Sequence, residues 1–244
     1  MHLTTTTPLH QNRRCRNAPG LLLLSVSALV TLGCTTAAAT GHRDTPRPVR
    51  RFLEQHGPEI AAVPISDLES ARRVFDHVRR YRVDADPAKL WRAYREVDPR
   101  HAWTGPVARF GYLHDPVERR SFTANTDRVP EVREQQTVLV HLRFVRVIQM
   151  AAAFRITVIS DEERLIEFAY LEPNTANGLQ QIRILADGTG SIIEHRSQYT
   201  SGRRLRDRLL YPPFHSRAID EFHRGIAATV NARARVFSRA ASAD

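Results

Sequence analysis

Polar and apolar residues alternate along most of the chain between residues 77 and 199, and this period of two is typical of β-strands. A first strand is predicted in HVRRYRVDAD, which begins at His77. Further strands are predicted at 107–113, 119–125, 137–147, 153–160, 164–171, 178–186 and 190–199. The turn sequences SDEER at 160–164 and DGTG at 187–190 predict hairpins between successive strands, which indicates an antiparallel sheet.

Two stretches have helical spacing instead. DPAKLWRAYREVDP predicts a helix with Asp86 as N-cap and Pro87 at the first helical position. Its apolar face consists of Leu90, Trp91, Tyr94 and Val97. A long C-terminal helix is predicted at 216–238, after the helix breaker Pro212-Pro213. The apolar stripe of this helix consists of Ile219, Phe222, Ile226, Val230 and Phe237.

The order of these elements predicts an α+β helix-grip fold, in which a curved antiparallel sheet wraps around the long C-terminal helix. A curved sheet and a single helix rarely fill the space between them, so this fold predicts a cavity suited to an apolar ligand. We place this domain at 66–238, with a tail at 239–244. Ser66 and Glu69 have the spacing of a capping box and predict a helix there.

The N-terminal region predicts export. The apolar run from Leu21 to Gly33 is 13 residues long, whereas a helix that crosses a bilayer needs about 20. Arginines precede it, and its last residues are part of TLGC at 31–34, which resembles a bacterial lipobox. We interpret 1–34 as a signal peptide with lipidation at Cys34, and 35–65 as a linker with a short helix closed by Gly57. This predicts a lipid-anchored protein of the cell envelope; cleaved export without lipid and an uncleaved anchor are alternatives.

The chain is strongly basic, with a formal net charge of +10, and Lys89 is its only lysine. The arginine bias is typical of a GC-rich genome, and attraction to anionic lipid headgroups is the functional alternative. The arginines are scattered and aromatic residues are few, so nucleic acid is not an expected partner. The segment RRLRDRLLYPPF at 203–214 either closes one end of the cavity or lies on a membrane.

Three segments resemble the START/polyketide-cyclase (SRPBCC) superfamily, including an uncharacterised branch of it. They are VDADPAKLWRAYREVDPRHAW, EFAYLEPNTANGLQQIRILADGTGSIIEHRSQYTSG and RLLYPPFHSRAIDEFHRGIAATV, and the resemblance covers about residues 75–235. It implies a helix-grip fold with a pocket for a hydrophobic or amphipathic small molecule. The superfamily includes carriers, cyclases, hydroxylase subunits and plant ligand-binding proteins, so the resemblance implies no specific activity.

Candidate binding residues come from the strand pattern of SIIEHRSQYTSG. Its more apolar face carries Ile193, His195, Ser197 and Tyr199, and we expect this face to point inward. The predicted ligand-binding residues are His195, Tyr199, Tyr170, Trp91 and Phe222. A histidine that hydrogen-bonds its neighbours in a packed core is the alternative to one that contacts ligand.

Several chemistries lack their sequence signatures. The eleven histidines are dispersed without a His-Glu-x-x-His motif, although His215 and His223 are eight residues apart on the last helix. No Gly-x-Ser-x-Gly elbow occurs, and GTGS at 188–191 joins two strands. We therefore expect no metal, no cofactor and no nucleotide site, and we assign no catalytic residue.

Three functional hypotheses follow. The first is a monomeric, non-catalytic protein that binds a hydrophobic small molecule in the helix-grip cavity. The second is a cyclase or isomerase that uses the same pocket, with His195 as acid–base and Tyr199 or Tyr170 as hydrogen-bond donor. The third is an envelope interaction protein whose pocket is filled by side chains.

Overall fold

The computed structural model describes residues 44–144 and 148–241, the last eleven of them by their backbone alone. The predicted signal peptide 1–34 with Cys34 lies outside the described residues. The side chain of Phe237 and residues 242–244 of the predicted tail do too. The predicted limits of the linker, domain and tail stay predictions.

Eight strands form one antiparallel sheet, as the alternation predicts. They are β1 (Phe75–Val83), β2 (Ala108–Asp115), β3 (Arg120–Phe122), β4 (Thr137–Phe144), β5 (Ile148–Ser160), β6 (Leu165–Tyr170), β7 (Asn177–Asp187) and β8 (Gly190–Thr200). Their order across the sheet is β1-β8-β7-β6-β5-β4-β2-β3. The register shifts within β2 and within β5, and such bulges bend a sheet.

The helices are α1 (Arg47–His56), α2 (Pro87–Glu96), α3 (Pro99–Ala102) and α4 (Tyr211–Ala241). One face of the curved sheet packs on α2 and α4 through a main core that includes Leu90, Ile182, Ile193 and Ile226. The predicted α+β helix-grip architecture is therefore confirmed. None of the described helices combines the length and apolarity needed to cross a membrane.

The predicted start of α2 is confirmed. The carboxylate of Asp86 accepts hydrogen bonds from the backbone N–H groups of Ala88 and Lys89, each at 3.0 Å. It thereby satisfies two donors that have no partner within the helix. Pro87 follows at the first helical position, where a missing N–H leaves no helical hydrogen bond unmade.

The helix predicted from Ser66 is wrong. The Ser66 hydroxyl accepts a hydrogen bond from the backbone N–H of Gly178 at 3.0 Å. Its own N–H donates to the Tyr170 carbonyl oxygen at 2.7 Å. Both bonds hold the chain against the sheet, so this serine stabilises a tertiary contact rather than a helix end.

The last helix begins earlier than predicted. A π-helical turn at Arg206–Leu210 leads directly into α4, so Pro212 and Pro213 lie within its first turn. The Tyr211 N–H donates to the Arg206 carbonyl oxygen across this wider turn. Helical backbone therefore continues through both prolines, and the helix is not delayed to residue 216.

A second, smaller core covers the opposite face of the sheet. The predicted short helix is present as α1 and ends at Gly57. Its buried residues Val49 and Leu53 pack with Leu139 of β4 and Leu171. Packed structure therefore begins well before residue 66, inside the segment that composition assigns to a linker.

Candidate functional site

A cavity of about 340 Å³ lies between β4, β5, β6 and the first turns of α4. Its aromatic walls are Trp103, Phe144, Phe154, Phe168 and Phe214, and aliphatic residues such as Val140, Leu142, Met150 and Ile219 complete them. This volume falls within the range of about 300–1,000 Å³ that is typical of small-molecule sites. The arrangement can therefore hold an apolar molecule of modest size.

The cavity opens to solvent at one end. Leu210 and Ile148 both line it, and about half of each side chain is exposed. Arg206 also lines the cavity and donates a hydrogen bond to the Thr175 hydroxyl at 3.3 Å. An apolar molecule can therefore enter between the turn before α4 and the start of β5.

A chain of buried hydrogen bonds reaches the cavity wall at His195. The amide oxygen of Gln180 lies 2.9 Å from His195 Nε2, and His195 Nδ1 lies 2.9 Å from His223 Nε2. His223 Nδ1 lies 2.5 Å from the hydroxyl of Tyr94. All four side chains are buried. These hydrogen bonds therefore satisfy polar groups that have lost contact with water.

The direction of these bonds follows from their end points. Because an amide oxygen only accepts, His195 Nε2 carries the proton and Nδ1 accepts from His223 Nε2. His223 Nδ1 then accepts from Tyr94. Both histidines are neutral in this arrangement, each with its proton on Nε2.

Burial favours the same neutral forms. Loss of solvent lowers the pKa of His195 well below its ordinary value of 6.5, and the adjacent His223 lowers it further. Burial likewise lowers the pKa of His223 to about 3, with a smaller contribution from His215. The two rings therefore act as polar, uncharged groups at neutral pH.

A second branch carries the chain to the cavity wall. The Gln180 amide nitrogen donates to the Tyr211 hydroxyl at 3.4 Å, and Tyr211 lies 3.1 Å from the hydroxyl of Tyr170. Either tyrosine can be the donor of this bond, because a hydroxyl oxygen that accepts from Gln180 can accept a second hydrogen bond. Tyr170 lines the cavity, so this pair of hydroxyl groups extends the polar chain to the cavity wall.

His215 is the polar residue that stands apart from this chain. It lines the cavity, is only 9% exposed, and its ring stacks on Tyr211 at 5.0 Å. Neither of its ring nitrogens has a hydrogen-bond partner within the described residues, and Nδ1 is sealed from solvent. An unpartnered buried polar group costs about 1–3 kcal/mol, so a ligand that bonded to this ring would remove that cost.

Two of the five predicted binding residues line the cavity, namely His195 and Tyr170. Phe222 instead stacks on Trp103 at 4.3 Å and lines a separate pocket of about 70 Å³. Both ring nitrogens of His195 are hydrogen-bonded, which leaves this residue no free nitrogen for a ligand or for acid–base chemistry.

The other two predicted residues have structural partners elsewhere. Tyr199 donates to the Asp207 carbonyl oxygen at 2.9 Å and stacks on Tyr211 at 3.6 Å. Trp91 Nε1 donates to the Asp161 carboxylate at 2.8 Å, in the turn between β5 and β6. Both lie in the folded core, but neither lines the cavity.

Sequence reasoning missed two functional candidates. Gln180 lies on the inward face of β7. The alternation of polar and apolar residues that assigns the inward face of β8 also assigns this one. His215 precedes the inward Ile219 by four residues, which places both on one helical face. Within 44–144 and 148–241, no group of three or more metal-ligating side chains is placed to hold an ion.

No protein-family model matches the chain, and a search of curated proteins found no match. Among solved structures, it is similar to the major latex-like protein 151 of Panax ginseng. The TM-score is 0.48 and the identity 13%, over 64% of this chain and 97% of that one. It is also similar to norcoclaurine synthase of Thalictrum flavum in complex with dopamine and hydroxybenzaldehyde. There the TM-score is 0.48 and the identity 10%, over 65% and 87% of the two chains. We assign no function from these similarities.

Proposed function

We propose that this protein binds an apolar small molecule carrying one hydrogen-bonding group, without catalysing a reaction on it. The observation that carries this proposal is an open apolar cavity of about 340 Å³ with the unpartnered His215 in its wall. Burial of apolar ligand surface contributes about 25 cal/mol per Å² to affinity. The cavity is not filled by side chains, which disfavours the hypothesis of an interaction protein with a closed pocket.

The polar wall favours a ligand with a carbonyl or hydroxyl oxygen. The Tyr170 hydroxyl belongs to the cavity wall, and a hydroxyl group can donate to a ligand oxygen. His215 supplies a second, neutral hydrogen-bonding group, because burial lowers its pKa well below 6.5. Neither of these two residues carries a charge, so this part of the wall favours an uncharged head group. Arg206 lies at the opening and is hydrogen-bonded to Thr175.

Uptake of an apolar probe tests the proposal. The full chain is purified without detergent and titrated with N-phenyl-1-naphthylamine, whose fluorescence rises in apolar surroundings. Saturable uptake at one probe per chain is expected in the parent protein. Ala152→Phe adds a ring to a residue that lines the cavity, and it should abolish uptake.

Ala186→Phe adds the same ring at an exposed position of β7 and serves as the matched control. Retained uptake in Ala186→Phe together with loss in Ala152→Phe supports a site in the cavity. Equal uptake by both variants, or no uptake by the parent protein, overturns the proposal.

We also propose that the chain is exported and held at a membrane by lipid on Cys34. The support is sequence alone, namely the short apolar run that leads into TLGC. The mass of the N-terminal peptide from cells that express the full chain tests this, with Cys34→Ser as the comparison. A diacylated peptide beginning at Cys34 is expected, and an unmodified N-terminus would contradict the proposal.

We infer further that the chain is a member of the START/polyketide-cyclase superfamily. The three resembling segments support this, because they span the end of β1 with α2 and α3, the β6–β7–β8 hairpins and the start of α4. Membership fits carriers and enzymes alike. The non-catalytic proposal is preferred because His195 has no free ring nitrogen in the described structure.

A further inference from the structure

Three leucines are exposed in the turn that leads into α4. Leu205, Leu209 and Leu210 are 73%, 57% and 52% exposed. Leu205 and Leu209 are four residues apart, which places them on neighbouring turns of the same side. Single exposed apolar residues are ordinary, but an exposed group of them marks an interaction surface.

This apolar group is continuous with the cavity. Leu210 contributes both to the exposed surface and to the cavity lining, and so does Ile148 from the start of β5. Leu210 and Ile148 therefore form the edge of the opening, and Leu205 and Leu209 belong to the turn that carries Leu210. We call Leu205, Leu209, Leu210 and Ile148 the apolar rim.

Cations without acidic partners surround the apolar rim. Arg203, Arg204 and Arg208 are exposed and belong to the same turn as the leucines.

A polar groove beside the cavity adds two more cations. Exposed Arg72 and Arg73 line this groove together with Arg204. This groove shares Asn174, Thr175 and Ala176 with the cavity lining. None of these five arginines forms an ion pair with a described residue.

Nearby acids offset little of this charge. Asp207 lies in the same turn, but it is buried and accepts hydrogen bonds from the N–H and hydroxyl groups of Ser201. Asp67 lines the groove and is exposed, and it accepts from the Glu69 N–H at 2.7 Å. The surface around the rim is therefore net positive.

We infer that the apolar rim docks on an anionic phospholipid bilayer, with its leucines among the acyl chains and the arginines at the headgroups. Apolar side chains beside cations match both layers of such a membrane. A ligand could then pass between bilayer and cavity without crossing water. Docking rests on this surface alone, and only the passage of ligand rests on the proposed function.

Local fluorescence tests the inference. The full chain carrying Cys15→Ser and Cys34→Ser receives Leu209→Cys or, as the matched control, Val117→Cys. Val117 is 73% exposed, against 57% for Leu209, and lies in the turn between β2 and β3. Each cysteine is labelled with NBD and mixed with vesicles of phosphatidylcholine alone or of phosphatidylcholine with phosphatidylglycerol. A blue shift and an intensity rise are expected at position 209 only, and only with phosphatidylglycerol.

Charge reversal provides the second measurement. Arg203→Glu with Arg204→Glu should lower the vesicle partition coefficient at least about thirty-fold, which corresponds to about 1 kcal/mol for each cation removed. Arg128→Glu, at an exposed arginine elsewhere, should change it by much less. All variants keep the same N-terminal segment, so differences between them report on the rim.

The outcomes separate docking from ligand binding. An unchanged NBD signal at position 209, an equal shift at both positions, or the same shift with neutral vesicles would overturn the inference. Uptake of N-phenyl-1-naphthylamine by the same labelled proteins, without vesicles, tests the cavity independently. Normal uptake with no docking refutes the membrane surface and leaves the binding proposal intact.

Discussion

His195 Nδ1 accepts a hydrogen bond from His223 Nε2 at 2.9 Å, and this bond joins strand β8 to helix α4 across the core. The two rings are nearly perpendicular, at 82°. Protonation of either ring on its accepting nitrogen would force a neighbouring group in the chain from Tyr94 to Gln180 to change between donor and acceptor. The sheet and the helix that enclose the cavity are therefore linked by two histidines that burial keeps neutral.

Acid should destabilise the fold through these histidines. Burial lowers the pKa of His195, His215 and His223 below 6.5, so the unfolded chain binds their protons more readily than the folded chain does. The stability that the three neutral histidines give to the folded chain is therefore fully present above pH 6.5. It is lost as the pH falls from 6.5 toward the folded pKa of His223, which is about 3.

His223→Gln tests this pH dependence, because it removes one of the titrating groups. Urea unfolding at several values between about pH 7 and about pH 4 should give a slope shallower by about 1 kcal/mol per pH unit than in the parent protein. His101→Gln replaces an exposed histidine and should leave the slope unchanged. Parallel profiles for all three proteins would show that the buried histidines do not govern acid stability.

Gln180 should be a stabilising residue. Its amide oxygen accepts from His195 at 2.9 Å and from Ser197 at 2.5 Å, so Gln180→Leu leaves buried donors without an acceptor. We expect a loss of about 1–3 kcal/mol in the free energy of unfolding. Gln181→Leu on the other face of β7 loses a half-buried bond to Glu167 and should cost less. Equal losses in denaturant titrations would contradict this account.

His215→Phe should separate ligand selectivity from stability. The substitution removes an unpartnered buried polar group, so the free energy of unfolding should stay constant or rise. Affinity for 2-undecanone should fall about five-fold, the equivalent of one hydrogen bond of about 1 kcal/mol. Affinity for undecane should not fall. Competition against bound N-phenyl-1-naphthylamine measures both ligands, and an equal loss for the two would remove His215 from head-group recognition.

Helix α1 should contribute to the stability of the domain. Leu53 is 3% exposed and packs in the second core, so Leu53→Ala should cost about 2–5 kcal/mol in thermal or urea unfolding. Leu185→Ala, at a half-exposed position of β7, should cost less than half as much. If Leu53→Ala were as mild as this control, the segment before residue 66 would act as a tether rather than as part of the fold.

Local signals placed most of the elements correctly because each depends on neighbouring residues. The strand phase of β8 put His195 inward, and Asp86 followed by Pro87 located the start of α2. Ser66 and Glu69 had an equally good local signature, but the sheet presents the N–H of Gly178 to Ser66. A capping pattern cannot show whether a distant donor competes for the serine hydroxyl.

The order of the elements, the inward faces of the strands and of α4, and the expectation of an apolar cavity could all be predicted from the amino-acid sequence. They follow from the period of side chains along a strand or a helix, which needs no knowledge of distant partners. The pairing of the inward polar groups with each other became known from the folded structure. It joined His195 to His223 and Gln180, and it left His215 unpartnered at the cavity wall. Hydrogen bonds between residues far apart in the chain depend on distances of a few tenths of an ångström, and no spacing along the sequence encodes those.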